Sequence, residues 1–254
     1  MGTKRVFCVT KENRKEIGFV DEPNEYLLIP PTVKVEGREL TVTSIGPEAF
    51  QRTGVGNVVI FDGVKKIDKY AFMSCKHLTE VLLPKTLTRI EKMAFRFCTN
   101  LERIVLPEGL TTIYEEVFGC CEKLSSIEIP ATVKRLEAAL FACCTSLEEV
   151  VLHEGLEVIG SGAFSGCRRL KNIHIPDTVS DIGNCAFSGC DSLKKLELPA
   201  GLMRIGVFAL RGCKDLGEIR FGGTMRDWKY AAWNVHLGVS VPVICSDGSF
   251  SSLA

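Results

Sequence analysis

Apolar positions recur along this chain in fixed columns 23 residues apart. Leu78, Leu101, Leu124, Leu147, Leu170, Leu193 and Leu216 form one column. Phe72, Phe95, Phe118, Phe141, Phe164 and Phe187, closed by Leu210, form a second. Cys75, Cys98, Cys121, Cys144, Cys167, Cys190 and Cys213 share a third. A fourth holds Pro84, Pro107, Pro130, Pro176 and Pro199, with His153 in one proline's place. Each unit reads Ala-Phe-x-x-Cys-x-x-Leu-x-x-Ile-x-Ile-Pro, then an apolar-x-x-Ile step. A degraded unit, one residue shorter, runs through Ala49, Phe50, Val55, Val58 and Ile60. Coincidence of this many columns identifies a repeat array.

A unit of this length cannot enclose a core alone, so its apolar side chains must pack against those of its neighbours. Ile127 and Ile129 alternate with Glu128, which is strand patterning with Glu128 on the opposite face. Pro130 then ends the strand, because proline has no N–H to continue a ladder. Val133 and Leu136 predict a shorter strand or extended turn. The Ala-Phe-x-x-Cys stretch predicts a tight helical turn, being too short for a full helix. Stacked units place like strands side by side as parallel ladders roughly 4.7–4.9 Å apart. The predicted fold is therefore a mainly-β, right-handed repeat solenoid with short helical turns. From that spacing, the column from Phe50 to Leu210 spans roughly 34 Å.

An unpaired ladder edge invites aggregation, so the ends must differ from the repeats. Residues 1–44 read as an N-terminal cap with a hairpin. Tyr26-Leu-Leu-Ile-Pro and Leu40-Thr-Val-Thr-Ser-Ile flank Glu36-Gly37, where Gly37 is free to take positive φ. Residues 45–221 read as a solenoid of about eight units, and 222–254 as a C-terminal cap. In that cap Thr224 to Asp227 predicts a helix start, Val239 to Cys245 a strand, and Asp247-Gly248 a turn. Both tryptophans, Trp228 and Trp233, are expected to bury over the last unit.

Charge narrows the partner class. Lys+Arg and Asp+Glu number 31 each, a net charge of zero. That balance argues against a nucleic acid, which calls for a basic footprint. No apolar run approaches the roughly 18 residues of a membrane span, and Met1 to Val20 lacks an apolar signal core.

The repeat residues resemble the BspA-like class of leucine-rich repeat proteins, over roughly residues 26 to 250. The resemblance includes Gly223-Thr224 to Trp228 and Cys245 to Gly248 of the C-terminal cap. It implies a family often displayed on microbial surfaces and associated with adhesion to host matrix or other cells. For the compartment two expectations stand: cytoplasmic from the opening segment, cell surface or secreted from the resemblance.

Candidate chemistry is sparse. The periodic thiols read as small core hydrophobes. In-register Cβ atoms roughly 4.8 Å apart exceed the 3.5–4.5 Å that disulfides prefer. Cys120-Cys121 and Cys143-Cys144 superficially resemble a four-thiolate metal site. Sequence neighbours point apart, however, so Cys121 and Cys144 are expected inward and Cys120 and Cys143 outward or sideways. An oxidation-sensitive contact between Cys120 and Cys143 is then favoured over a metal. His77, His153, His174 and His236 show no metal-ligand spacing, and none accompanies a nucleophile elbow or phosphate loop. The expectation is a non-enzyme without metal or cofactor.

Binding is expected on the outward positions of the main strands, read as a concave sheet. One column holds Glu80, Arg103, Ser126, Glu149, Asn172, Lys195 and Glu218. The next holds Leu82, Val105, Glu128, Val151, His174, Glu197 and Arg220. Mixed charge punctuated by Leu82, Val105 and Val151 suits a protein or glycan better than a polyanion. The leading expectation is a monomeric, non-enzymatic interaction scaffold, adhesin-like on a surface. A structural spacer array and an intracellular adaptor are its rivals.

Overall fold

The computed structural model describes residues 5–9, 14–18, 26–35, 37–233 and 235–251. The chain winds into a parallel-strand solenoid of about nine turns. Each coil has three edges: a longer strand, a two-residue strand and a tight turn. The longer strands pair in parallel as Tyr26–Ile29, Asn57–Ile60, Glu80–Leu82 and Arg103–Val105. Ser126–Glu128 then pairs with Glu149–Val151, and Lys195–Leu198 with Glu218–Phe221. The short strands pair as Ser44–Ile45, Lys66–Ile67, Arg89–Ile90 and Thr112–Ile113. They resume as Arg135–Leu136, Val158–Ile159, Asp181–Ile182 and Arg204–Ile205.

Strand pairing on both edges therefore stops between the coil holding Arg103–Val105 and Thr112–Ile113 and the coil holding Ser126–Glu128 and Arg135–Leu136. Across this seam the turn edges stay bonded: Glu116, Phe118 and Cys120 N–H groups donate to Ala138, Leu140 and Ala142 carbonyls at 3.0, 3.0 and 2.7 Å. Further along, the segment 171–175 lies between two strand-bearing coils without strand pairing of its own.

The Ala-Phe-x-x-Cys stretch is not helical, contrary to the expectation from its spacing. Tyr70 and Ser74 sit at φ 60 and 62°, and equivalent residues do so along the stack. Reversing the sign of φ twice per turn sends alternate N–H groups in different directions. Those of Tyr70, Phe72 and Ser74 donate to Lys92, Ala94 and Arg96 of the next coil. Those of Ala71, Met73 and Cys75 close local turns onto Asp68, Tyr70 and Phe72. The turn edge is thus a third inter-coil ladder, which a helix with all bonds internal could not supply.

The columns fill the interior. Phe50, Phe72, Phe95, Phe118, Phe141, Phe164 and Phe187 form a continuous stack with centroids 5.0–5.9 Å apart and rings within 11° of parallel. Each thiol of the cysteine column donates to the phenylalanine carbonyl of the preceding coil, from Cys75 to Phe50 at 2.9 Å through Cys213 to Phe187 at 3.2 Å. A small side chain with one weak donor suits that place. In the C-terminal coils the residue after the short strand is glycine. A Cβ at Gly160 would lie 2.6 Å from the Leu136 carbonyl oxygen, so the coils approach there too closely for a side chain.

Both ends are covered. Arg5–Val9 and Arg14–Gly18 pair antiparallel and meet the short-strand edge at Ser44. No repeat pattern announced these strands. A hairpin forms at the expected turn, with Gly37 at φ 77°, but its arms are Thr32–Val35 and Arg38–Thr41. Tyr26–Ile29, expected as an arm, instead pairs in parallel with Asn57–Ile60 as the first long strand; Glu36 lies outside the described residues. At the other end the helix Met225–Ala231 starts with a capping box. Thr224 Oγ1 accepts from the Asp227 N–H at 3.2 Å, and Asp227 Oδ2 accepts from the Thr224 N–H at 3.0 Å. Pro242–Cys245 pairs with Glu218–Phe221 and turns back as Gly248–Ser251.

Of the two cap tryptophans only Trp228 is buried, 5.4 Å from the Phe221 ring. Trp233 is 80 % exposed. The helix is seven residues long. Trp228 and Ala231, three apart, occupy its inward face, Tyr230 faces solvent, and Trp233 lies in the turn beyond the helix end.

Candidate interaction face

On every paired long strand the central residue is buried and its two neighbours point out. That alternation places all twelve residues expected on the face at outward positions. Ten of them, Glu80, Leu82, Arg103, Val105, Glu128, Glu149, Val151, Lys195, Glu197 and Arg220, lie on strands. Asn172 and His174 also face solvent, but in the unpaired segment 171–175.

Two hollows open on this face. The larger, about 310 Å³, lies over the seam. It gathers five of the expected residues, Arg103, Val105, Glu128, Glu149 and Val151, and adds Glu102 and Glu108. The smaller, about 270 Å³, gathers His174, Glu197 and Arg220 with Phe221. Glu80, Leu82, Asn172 and Lys195 line neither hollow.

The charges on the face largely pair with one another. His153 Nε2 and Glu128 Oε1 stand 2.9 Å apart, which gives the histidine of the proline column a partner. Arg220 Nε donates to Glu218 Oε1 at 2.6 Å, and Lys195 pairs with Glu197, holding that carboxyl below its ordinary value. Arg103 reaches Glu80 at 4.0 Å, and Lys123 reaches Glu102 at 3.3 Å.

What remains is an apolar stripe. Leu82 is 45 %, Val105 61 % and Val151 37 % exposed, and Leu28, at 54 %, extends the row by register through Val59. Leu28 escaped the repeat reading because the hairpin 32–41 separates the first two long strands and breaks the period. Glu102 and Glu108 were missed because they flank the strand; only the open seam brings them in.

The thiols divide as their sequence neighbours required. Burial pushes the Cys75 and Cys213 thiols up to about 11 from an ordinary 9.0. It pushes the enclosed Cys98, Cys121, Cys144, Cys167 and Cys190 higher still. Cys120 is half-buried and Cys143 exposed. Burial raises Cys120, the adjoining Cys143 thiol adds to that, and the Arg96 guanidinium acts the other way.

Parallel coils with buried leucine, phenylalanine and cysteine ladders and a solvent-facing strand row define a leucine-rich-repeat solenoid. The chain belongs to the BspA type leucine-rich repeat family, whose model matches in six copies across residues 38–148 and 134–235. The fold is also that of solved bacterial structures. A leucine rich cell surface protein from Faecalibacterium prausnitzii shares 19 % identity with a TM-score of 0.56, over 90 % of this chain and 96 % of that one. The Leucine Rich Repeat protein of T. pallidum shares 27 % with a TM-score of 0.52, over 75 % of this chain and 77 % of that one. No curated protein matches the chain. The family implies a protein-interaction scaffold, and its repeat solenoids are typically non-enzymatic. No helix among the described residues is long and apolar enough to cross a membrane.

Proposed function

We propose that this protein is an adhesin-like scaffold that binds a protein partner along the outward row of its long strands. The apolar stripe Leu28, Leu82, Val105 and Val151 carries the reading, because it lies exposed on a sheet where most of the charges pair with one another. Leu28, Val59, Leu82 and Val105 adjoin in register, Glu128 separates Val151 from them, and exposed apolar surface rimmed by polar groups marks interaction sites. Family membership and the similarity to a leucine rich cell surface protein of F. prausnitzii support the surface setting.

The test compares wild type with the triple variant Leu82→Asp, Val105→Asp, Val151→Asp on immobilised extracellular-matrix proteins and on a glycan array. These positions point to solvent, so the fold should tolerate them, and circular dichroism checks that. Binding by wild type that falls at least tenfold in the variant supports the reading. Equal binding by both moves the site off this face, and failure of both to bind favours the spacer role.

A further inference from the structure

Cys120 and Cys143 occupy the same turn position on consecutive coils, at φ 59 and 61°. Their backbones are tied in register: Cys120 N–H donates to Ala142 O at 2.7 Å, and Cys143 N–H to Ser165 O at 2.7 Å. That register sets the two side chains at successive steps of one column, and Cys143 helps to raise the Cys120 thiol. In the following coils the same column holds Gly166, Gly189 and Gly212, so no side chain covers Cys143 from that side. Both sulfurs sit on the outer turn edge, away from the carbonyl contacts that hold the inward column.

We propose that Cys120 and Cys143 form a reversible dithiol–disulfide couple, oxidised by hydroperoxides, that staples the two coils flanking the seam. Equivalent Cα atoms on stacked coils lie roughly 4.7–4.9 Å apart. That falls within the 4.4–6.8 Å of disulfides, although the Cβ atoms must close by a few tenths of an ångström. No strand ladder on the other two edges opposes so small a closure at the turn edge. The inward thiols share the spacing but are shut from solvent, and each is held by a carbonyl.

The chemistry balances. The exposed Cys143 thiolate attacks one peroxide oxygen; the O–O bond breaks, and water leaves after protonation. The resulting sulfenic acid is attacked by the Cys120 sulfur, forming S–S and releasing a second water. Two thiols lose two electrons in all, and hydrogen peroxide is reduced to two waters. A thiol reductant reverses the exchange.

The experiment treats fully reduced protein with a small excess of hydrogen peroxide and maps its peptides without reduction. The fragmentation must separate Cys120 from Cys121 and Cys143 from Cys144. The expected product loses two hydrogens per chain, carries one Cys120–Cys143 link, and melts several degrees higher until dithiothreitol restores the original midpoint. Cys120→Ser and Cys143→Ser should each abolish the link, and Cys185→Ser should leave it intact. The proposal is overturned if peroxide takes Cys143 to sulfinic acid with Cys120 still reduced, if the link runs between chains, or if both thiols survive. The mapping of wild-type protein decides the question even if a serine variant folds poorly.

Discussion

At the scale of single residues, the stack draws its cohesion from side chains that meet their own kind. Phe141 is fully buried, with ring centroids 5.5 Å from Phe118 and 5.6 Å from Phe164. Truncating it removes two ring contacts at once, and the flanking rings, each already stacked on its other side, cannot collapse into the gap. Phe141→Ala is expected to cost about 3–5 kcal/mol. Chemical denaturation measures this, and a loss under about 1 kcal/mol would contradict the core role. This position was legible in the sequence because a buried column tolerates few residue types, and repetition makes the type visible. The left-handed turn positions were not legible. Glu48, Met93, Phe97 and Phe208 all sit at φ between 56 and 62°, and none is a residue that announces such a conformation. What fixes them is the inter-coil bonding of the turn edge, which exists only once coils have stacked.

At the scale of the element, the cysteine column is a ladder of seven thiols whose protons the fold retains. Burial pushes Cys75 and Cys213 up to about 11 from an ordinary 9.0 and raises the enclosed members well above it. A raised value here means that the folded state binds the proton more tightly. Below about pH 8 both states keep it, and stability does not respond. As pH climbs through 9 the unfolded chain releases protons that the folded chain holds, so stability falls between there and about 11. Each thiol contributes a slope of up to about 1.4 kcal/mol per pH unit. Urea midpoints of the reduced protein should therefore decline between pH 8 and 10.5, and Cys144→Ala should remove one thiol's share of the slope. A flat midpoint over that range would show that these thiols are not enclosed. The caps divide in the same way between legible and hidden. The capping box at Thr224 and Asp227 is a local signal, readable without neighbours. Arg5–Val9 and Arg14–Gly18 are ordered by the ladder edge that they cover, so no pattern within them foretold their pairing.

At the scale of the whole molecule, a solenoid is a row of nearest-neighbour interfaces, and its weakest interface sets where it opens. Most coil boundaries carry strand pairing on at least one edge together with turn-edge bonds; the seam between Thr112–Ile113 and Arg135–Leu136 lacks strand pairing and keeps the turn-edge bonds and the Thr132 hydroxyl's bonds to the Glu108 and Leu110 carbonyls. Hydrophobic contact still crosses it, since Phe95, Phe118 and Phe141 stack without interruption. What is missing is the strand ladder on two edges, whose backbone bonds would resist shear and twist. The hollow of about 310 Å³ on the interaction face lies over this boundary, so whatever occupies it touches both halves. Sub-global opening should therefore divide the reduced protein into two cooperative units. Native-state hydrogen exchange in low denaturant tests this. Amides of Asn57–Ile60, Glu80–Leu82 and Arg103–Val105 should exchange with one free energy, and those of Glu149–Val151, Lys195–Leu198 and Glu218–Phe221 with another. Oxidation of Cys120 and Cys143 should bring the two values together. A smooth gradient along the stack, indifferent to position 120, would mean that side-chain packing alone carries cooperativity across the seam.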